Sequence, residues 1–122
     1  MAISLFNSRV ASYQFGERAG AVYLDAYASL SDDVIVDVVM TLGDERVART
    51  EFARFDVNDT ARAAVVRASI ALSTDAVKTF CETRYPVSVT PSQNALDSVL
   101  GAFCSWIYNA DISADAPLYA AL

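Results

Sequence analysis

Two pairs of adjacent acids, Asp32-Asp33 and Asp44-Glu45, have side chains suited to acid–base work or to holding a divalent cation. Both pairs stand beside the ends of strand-like segments, where turns favour short acidic side chains, and turn formation is the reading adopted for each. The chain contains no histidine. That removes the commonest general base, the commonest metal ligand and the usual partner of a Ser or Cys nucleophile. Cys81 and Cys104 read as buried thiols acting as small hydrophobes, with a disulfide as the alternative. No Walker loop, Gly-rich dinucleotide turn or zinc spacing occurs. Catalysis, a bound metal and a cofactor are therefore not expected. Arg46, Arg49 and Arg54 form a cluster of cations, read as solvated ion-pair partners with a binding patch as the alternative.

The scaffold that positions these residues has the size of one domain, residues 1–122. Hydrophobic residues make up 54% and charged residues 20%, with only four Gly and three Pro, a globular composition that excludes a disordered or collagen-like chain. No apolar run approaches the roughly 18–20 residues of a membrane helix, and Met1-Ala2-Ile3-Ser4 lacks the basic and apolar regions of a secretory signal. A soluble protein made in the cytoplasm is expected. The formal net charge of −6, from 15 acids against nine Lys and Arg, counts against nucleic-acid binding unless the cations are gathered on one surface.

Period-two patterning dominates the first part of the chain. Val34, Val36, Val38, Met40 and Leu42 alternate with Ile35, Asp37, Val39 and Thr41, the mark of a half-buried strand. Gly43-Asp44 and the extended pattern from Val47 to Val57 make residues 34–57 a β-hairpin with a type II′ or slightly longer turn. Ile3–Phe6, Val10–Phe15 and Ala21–Leu30 are further strand-like pieces. Between 63 and 73, Val66, Ala68, Ile70 and Leu72 alternate with Val65, Arg67, Ser69 and Ala71. This favours a strand over a helix, although alanine favours helix and Asp59 could cap one. Val77 to Val89 completes the strands, with Pro86 at an edge or exit.

The period then changes. Thr90 as N-cap, Pro91 at the first helical position and Gln93 closing a capping box predict a helix start. Ala95, Leu96, Val99, Leu100, Phe103 and Ile107 form its apolar stripe, and Asn109 suits its end. A short second helix is predicted from Asp115 to Leu122. The fold class is α+β: strands over 1–89, then two C-terminal helices over 90–122. One helix about 10 Å wide cannot cover a five-stranded sheet whose strands lie nearly 5 Å apart, which predicts an obligate dimer.

Residues Glu82 to Leu96, with Pro86, Thr90, Ser92 and Leu96 in register, resemble the last strand and first helix of the coat proteins of single-stranded RNA bacteriophages, the levivirids. The match covers about 19 residues to Leu100, and the layout of the whole chain agrees with it. The resemblance implies an N-terminal hairpin, a five-stranded antiparallel sheet and two helices, intertwined in a homodimer that builds an icosahedral shell. It implies a virion component, assembled in the host bacterial cytoplasm around single-stranded RNA, with an RNA-hairpin repressor role as an extension. The stripe Leu96, Val99, Leu100, Phe103 and Ile107 would then be dimer core; an ordinary core within one chain is the alternative.

The same resemblance places Lys78, Phe80 and Glu82 on the RNA-facing side of the last strand, at positions where the family carries an aromatic, an amide and an acid. Lys78 could contact phosphate and Phe80 could stack on an unpaired base, with core packing as the alternative for Phe80. Arg67 and Ser69 lie on the more polar side of the preceding segment. In 47–57, Thr50 and Arg54 share one parity and Arg49 and Glu51 the other, so the inward set stays open. The rival reading from another class is a small cytosolic α+β domain that binds a ligand or serves an enzyme as accessory.

Overall fold

The computed structural model describes residues 3–28, 33–55 and 61–112, with the backbone alone described at 3, 4, 28, 61, 62, 65 and 104–112. Four long strands come first: β1 (Ile3–Phe15), β2 (Arg18–Ala28), β3 (Val34–Leu42) and β4 (Glu45–Phe55). Helices α1 (Ala61–Ala71) and α2 (Thr74–Arg84) follow, then a short β5 (Ser88–Pro91) and a long α3 (Gln93–Ile112). The strands form one antiparallel sheet in the order β4-β3-β2-β1-β5. The α+β class and the five-stranded antiparallel sheet are as expected, while several elements within them are not.

The β1–β2 and β3–β4 hairpins each turn at a glycine with positive φ, Gly16 at 63° and Gly43 at 62°, which side chains with a Cβ rarely adopt. The hairpin expected over 34–57 is thus β3–β4. The pieces read as Ile3–Phe6 and Val10–Phe15 are one strand, interrupted by register shifts between Ser4 and Phe6 and between Arg9 and Ala11. The bulges at Leu5 and Val10 reverse the alternation on either side of Asn7-Ser8, which itself pairs regularly with Asp25 and Leu24. At Gly20, a Cβ would lie 2.2 Å from the Tyr13 ring; the ring lies over the glycine and its hydroxyl donates to the Thr41 carbonyl at 2.7 Å.

Residues 63–73 and 77–89 are not the two strands expected. Ala64 and Ala68 are buried in α1, as is Leu72 just past its end, while Val66 and Ile70 are 53% and 67% exposed. Two of the large apolar residues that suggested alternation, Val66 and Ile70, face water, while Ala64, Ala68 and Leu72 face the core. Ser73 caps α2 by accepting from the Ala76 N–H at 3.2 Å, and Val77 and Cys81 carry its buried face. Pro86 ends it, because the residue before proline is driven to extended backbone, and Tyr85 has φ −135° and ψ 147°. The cap of α3 is Ser92, which accepts from the Ala95 N–H at 3.2 Å, rather than Thr90. Thr90 and Pro91 are engaged in β5, opposite Ser12 and Ala11, and Gln93 bonds Asp97 instead of closing a box. The helix runs on through Asn109 to Ile112; the helix expected over 115–122 lies outside the described residues.

The core joins one sheet face to all three helices. Val10, Val22, Leu24, Val36, Val38 and Met40 meet Ala68, Leu72, Val77, Cys81, Leu96, Val99 and Phe103. Phe103 packs on Phe55 with ring centroids 4.8 Å apart. The shortage of cover that predicted an obligate dimer is therefore filled within the chain by α1 and α2. Leu96, Val99 and Phe103 are buried in this core and Leu100 is partly buried against it, in keeping with the intramolecular alternative. Nothing is described of the Ile107 side chain.

Candidate nucleic-acid interface

The other face of the sheet carries no helix among the described residues. Its side chains follow from the register. Arg9, Tyr23, Val39 and Arg49 stand in one row; Asn7, Asp25, Asp37 and Glu51 in the next; Tyr27, Ile35 and Arg54 in a third. Thr41 and Arg46 extend the set toward the turns. Strand β4 reaches this arrangement through two register shifts, between the pairs Val36–Ala53 and Asp37–Glu51 and between Met40–Ala48 and Thr41–Arg46. Each shift reverses the parity of the strand, so Arg46, Arg49 and Arg54 share one face although their spacing in a regular strand would divide them. The two parities left open in the sequence are regrouped by the shifts: Arg54 joins Arg49 and Glu51 on one face, and Thr50 faces the helices.

Opposite charges organise this face. Arg49 donates to Asp37 at 2.8 Å and also to Asp25, bridging β4 to β3 and β2. Asp37 is only 6% exposed, the single buried charged residue among those described. Burial and the neighbouring Asp37 raise the pKa of the Tyr27 hydroxyl, whereas hydrogen bonds to Asp25 and Asp37 hold Arg49 more firmly protonated. Arg54 is paired with Asp33 at 3.0 Å and Glu51 at 2.8 Å. Arg9 and Arg46, by contrast, have no ion-pair partner among the described residues. A shallow depression of about 420 Å³ is lined by Tyr23, Val39, Thr41, Asp44, Arg46 and Arg49. Its two arginines and tyrosine are suited to phosphate contact and base stacking, with Asp44 opposing the phosphate.

The residues expected to meet RNA are mostly elsewhere. Lys78 and Glu82 lie one turn apart on α2 and close the outer edge of β5. Glu82 accepts from Lys78 at 2.6 Å and from the Val89 N–H at 2.7 Å, while Lys78 also donates to the Val89 carbonyl at 3.0 Å. These bonds hold the Glu82 carboxyl below the usual carboxylate range. Together they satisfy backbone groups that an edge strand would otherwise leave open to another strand. Phe80 sits edge-on to Phe52 at 5.0 Å, beneath the Arg84 guanidinium at 3.8 Å from its centroid. It follows its packing alternative. Arg67 lies over the Phe55 ring, Ser69 donates to the Val66 carbonyl, and Thr50 shares a hydrogen bond with Tyr85. Only Arg54 of that set belongs to the open face.

Sequence reasoning missed Arg9, Tyr23 and Tyr27. The signal was present in the alternation of Tyr23, Asp25 and Tyr27 with Val22, Leu24 and Ala26. Cys81 is a buried free thiol whose pKa burial pushes up to about 11, as its structural reading requires. Among the described residues no group of three His, Cys, Asp or Glu could hold a metal ion, and no helix is long and apolar enough to cross a membrane. No family model, curated protein or solved structure matches this chain.

Proposed function

We propose that the chain is a structural subunit of the RNA-phage coat type, which self-associates into a closed shell and presents its open sheet face to single-stranded RNA. One observation carries this reading: the helices lie on one face of the sheet, while the other gathers Arg9, Arg46, Arg49 and Arg54 around Tyr23 and Tyr27. Four of the nine cations lie on this surface, where Asp25, Asp33, Asp37 and Glu51 neutralise Arg49 and Arg54 and leave Arg9 and Arg46 without an ion-pair partner among the described residues. The passage from β5 into α3 also falls where the resemblance puts its last strand and first helix. Two helices where that family would have strands are a departure. They move the helix cover inside one chain and leave association to other surfaces, among them the outer edge of β4, which pairs with no strand among the described residues. No catalytic role, cofactor or membrane association is part of the proposal.

The test is negative-stain electron microscopy of the full chain expressed alone in bacteria, with absorbance at 260 and 280 nm. Uniform closed particles carrying nucleic acid are expected. A small RNA-free species at high concentration would overturn the proposal in favour of the ligand-binding domain, for which a pocket of about 230 Å³ lined by Phe15, Leu42, Val47, Tyr85, Pro86 and Val87 is available.

A further inference from the structure

We infer that the depression on the open sheet face selects guanine in single-stranded RNA, through the carboxylate of Asp44. The inference rests on the RNA reading above and adds to it the base that the site prefers.

Asp44 lies in the two-residue turn between Leu42 and Glu45, the pair that closes the β3–β4 ladder. Gly43 supplies the positive φ of this turn. The Asp44 carboxylate makes no hydrogen bond or ion pair among the described residues, even with Arg46 two positions on. The turn forms without it, and it lines the depression instead. Tyr23, Val39 and Arg49 share one row of the sheet; Thr41 and Arg46 form the next row toward the turn, and Asp44 follows. Arg49 is committed to Asp25 and Asp37. The Tyr23 ring, the Arg46 guanidinium and the Asp44 carboxylate are left for a ligand, in that order. The space of about 420 Å³ is within the range of sites that hold one small molecule.

An unpaired base can stack on the tyrosine, and its phosphate can meet Arg46. A carboxylate opposes phosphate, yet it accepts N–H bonds at both of its oxygens. Guanine alone offers two donors side by side, N1–H and the N2 amino group, which suit a bidentate pair with that acid. Adenine and cytosine set one amino group beside a ring nitrogen lone pair. Uracil sets its one N–H between two carbonyls. Each of these three turns an acceptor toward a carboxylate oxygen, so the site selects by repulsion as well as by attraction.

The experiment measures anisotropy of short labelled oligouridines carrying one central guanine, adenine or cytosine, or none. They are titrated with the full chain, with Asp44→Asn and with Glu45→Gln, at one salt concentration. The parent should bind the guanine strand about tenfold more tightly than the other three. Asp44→Asn keeps the side-chain size in an exposed turn and should lose that preference, although every strand binds it more tightly for want of one negative charge. Glu45→Gln removes the same charge from the next residue, outside the depression, and should keep the preference. Equal affinities in the parent, or preference for another base, would overturn the inference and leave the RNA reading standing. So would a guanine preference that survives Asp44→Asn or is lost equally in Glu45→Gln. No binding of any strand by the folded chain would overturn both.

Discussion

Arg46 and Arg49 lie on the same strand and the same face, yet alanine at each should produce opposite phenotypes. Arg46 has no ion-pair partner among the described residues, whereas Arg49 neutralises Asp25 and the buried Asp37. If Arg9 and Arg46 are the two cations free to meet phosphate, the affinity for single-stranded RNA should fall with a log–log salt slope of about −1.4 per subunit, at about 0.7 per contact. Between 50 and 200 mM salt that is roughly a sevenfold loss. Arg46→Ala should halve the slope to about −0.7, and the loss over the same range to between two- and threefold. Its fold stability should stay within about 0.5 kcal/mol of the parent. Arg49→Ala should leave the slope nearly unchanged and instead destabilise the fold. A fully buried pair broken on one side loses about 3–5 kcal/mol, but the Arg49 side chain is 36% exposed and partly screened. About 1–3 kcal/mol is expected. Anisotropy of a short labelled RNA across the salt series gives the slopes, and urea unfolding gives the stabilities. An equal loss of slope in both variants would refute the division of this face into paired and free arginines. An unchanged slope for Arg46→Ala would remove the face from RNA contact.

Three further outcomes are expected. Gly20→Ala should destabilise the sheet by about 3 kcal/mol, read by thermal melting, because its Cβ would meet the Tyr13 ring and, at 2.6 Å, the Thr41 carbonyl. Phe103→Ala should destabilise by about 3–5 kcal/mol. That loss should not vary with protein concentration, since Phe103 packs within its own chain; a concentration-dependent midpoint would return α3 to a dimer core. Glu82 has a folded pKa below its ordinary value, so its stabilisation of β5 is fully present above that ordinary value and is lost as pH falls through the lowered one. Amide exchange at Val89, corrected for intrinsic rate, should show that loss in the parent and not in Glu82→Gln.

The amino-acid sequence by itself determined the class of fold, the β3–β4 hairpin with its Gly43 turn and the apolar stripe of α3. Local chemistry suffices there: strict alternation, a glycine free to take positive φ, and spacings of three and four. It left Arg46, Arg49 and Arg54 as a cluster without a surface. Only the tertiary structure decided three things. Packing assigned α1 to its small residues, because Ala64 and Ala68 allow close approach while Val66 and Ile70 are left in water. The contact of α2 with β5 turned Lys78 and Glu82 from candidate RNA ligands into the closure of a sheet edge. The bulges in β4 gathered the three arginines on one face, since a bulge reverses side-chain parity without any change in residue type to announce it.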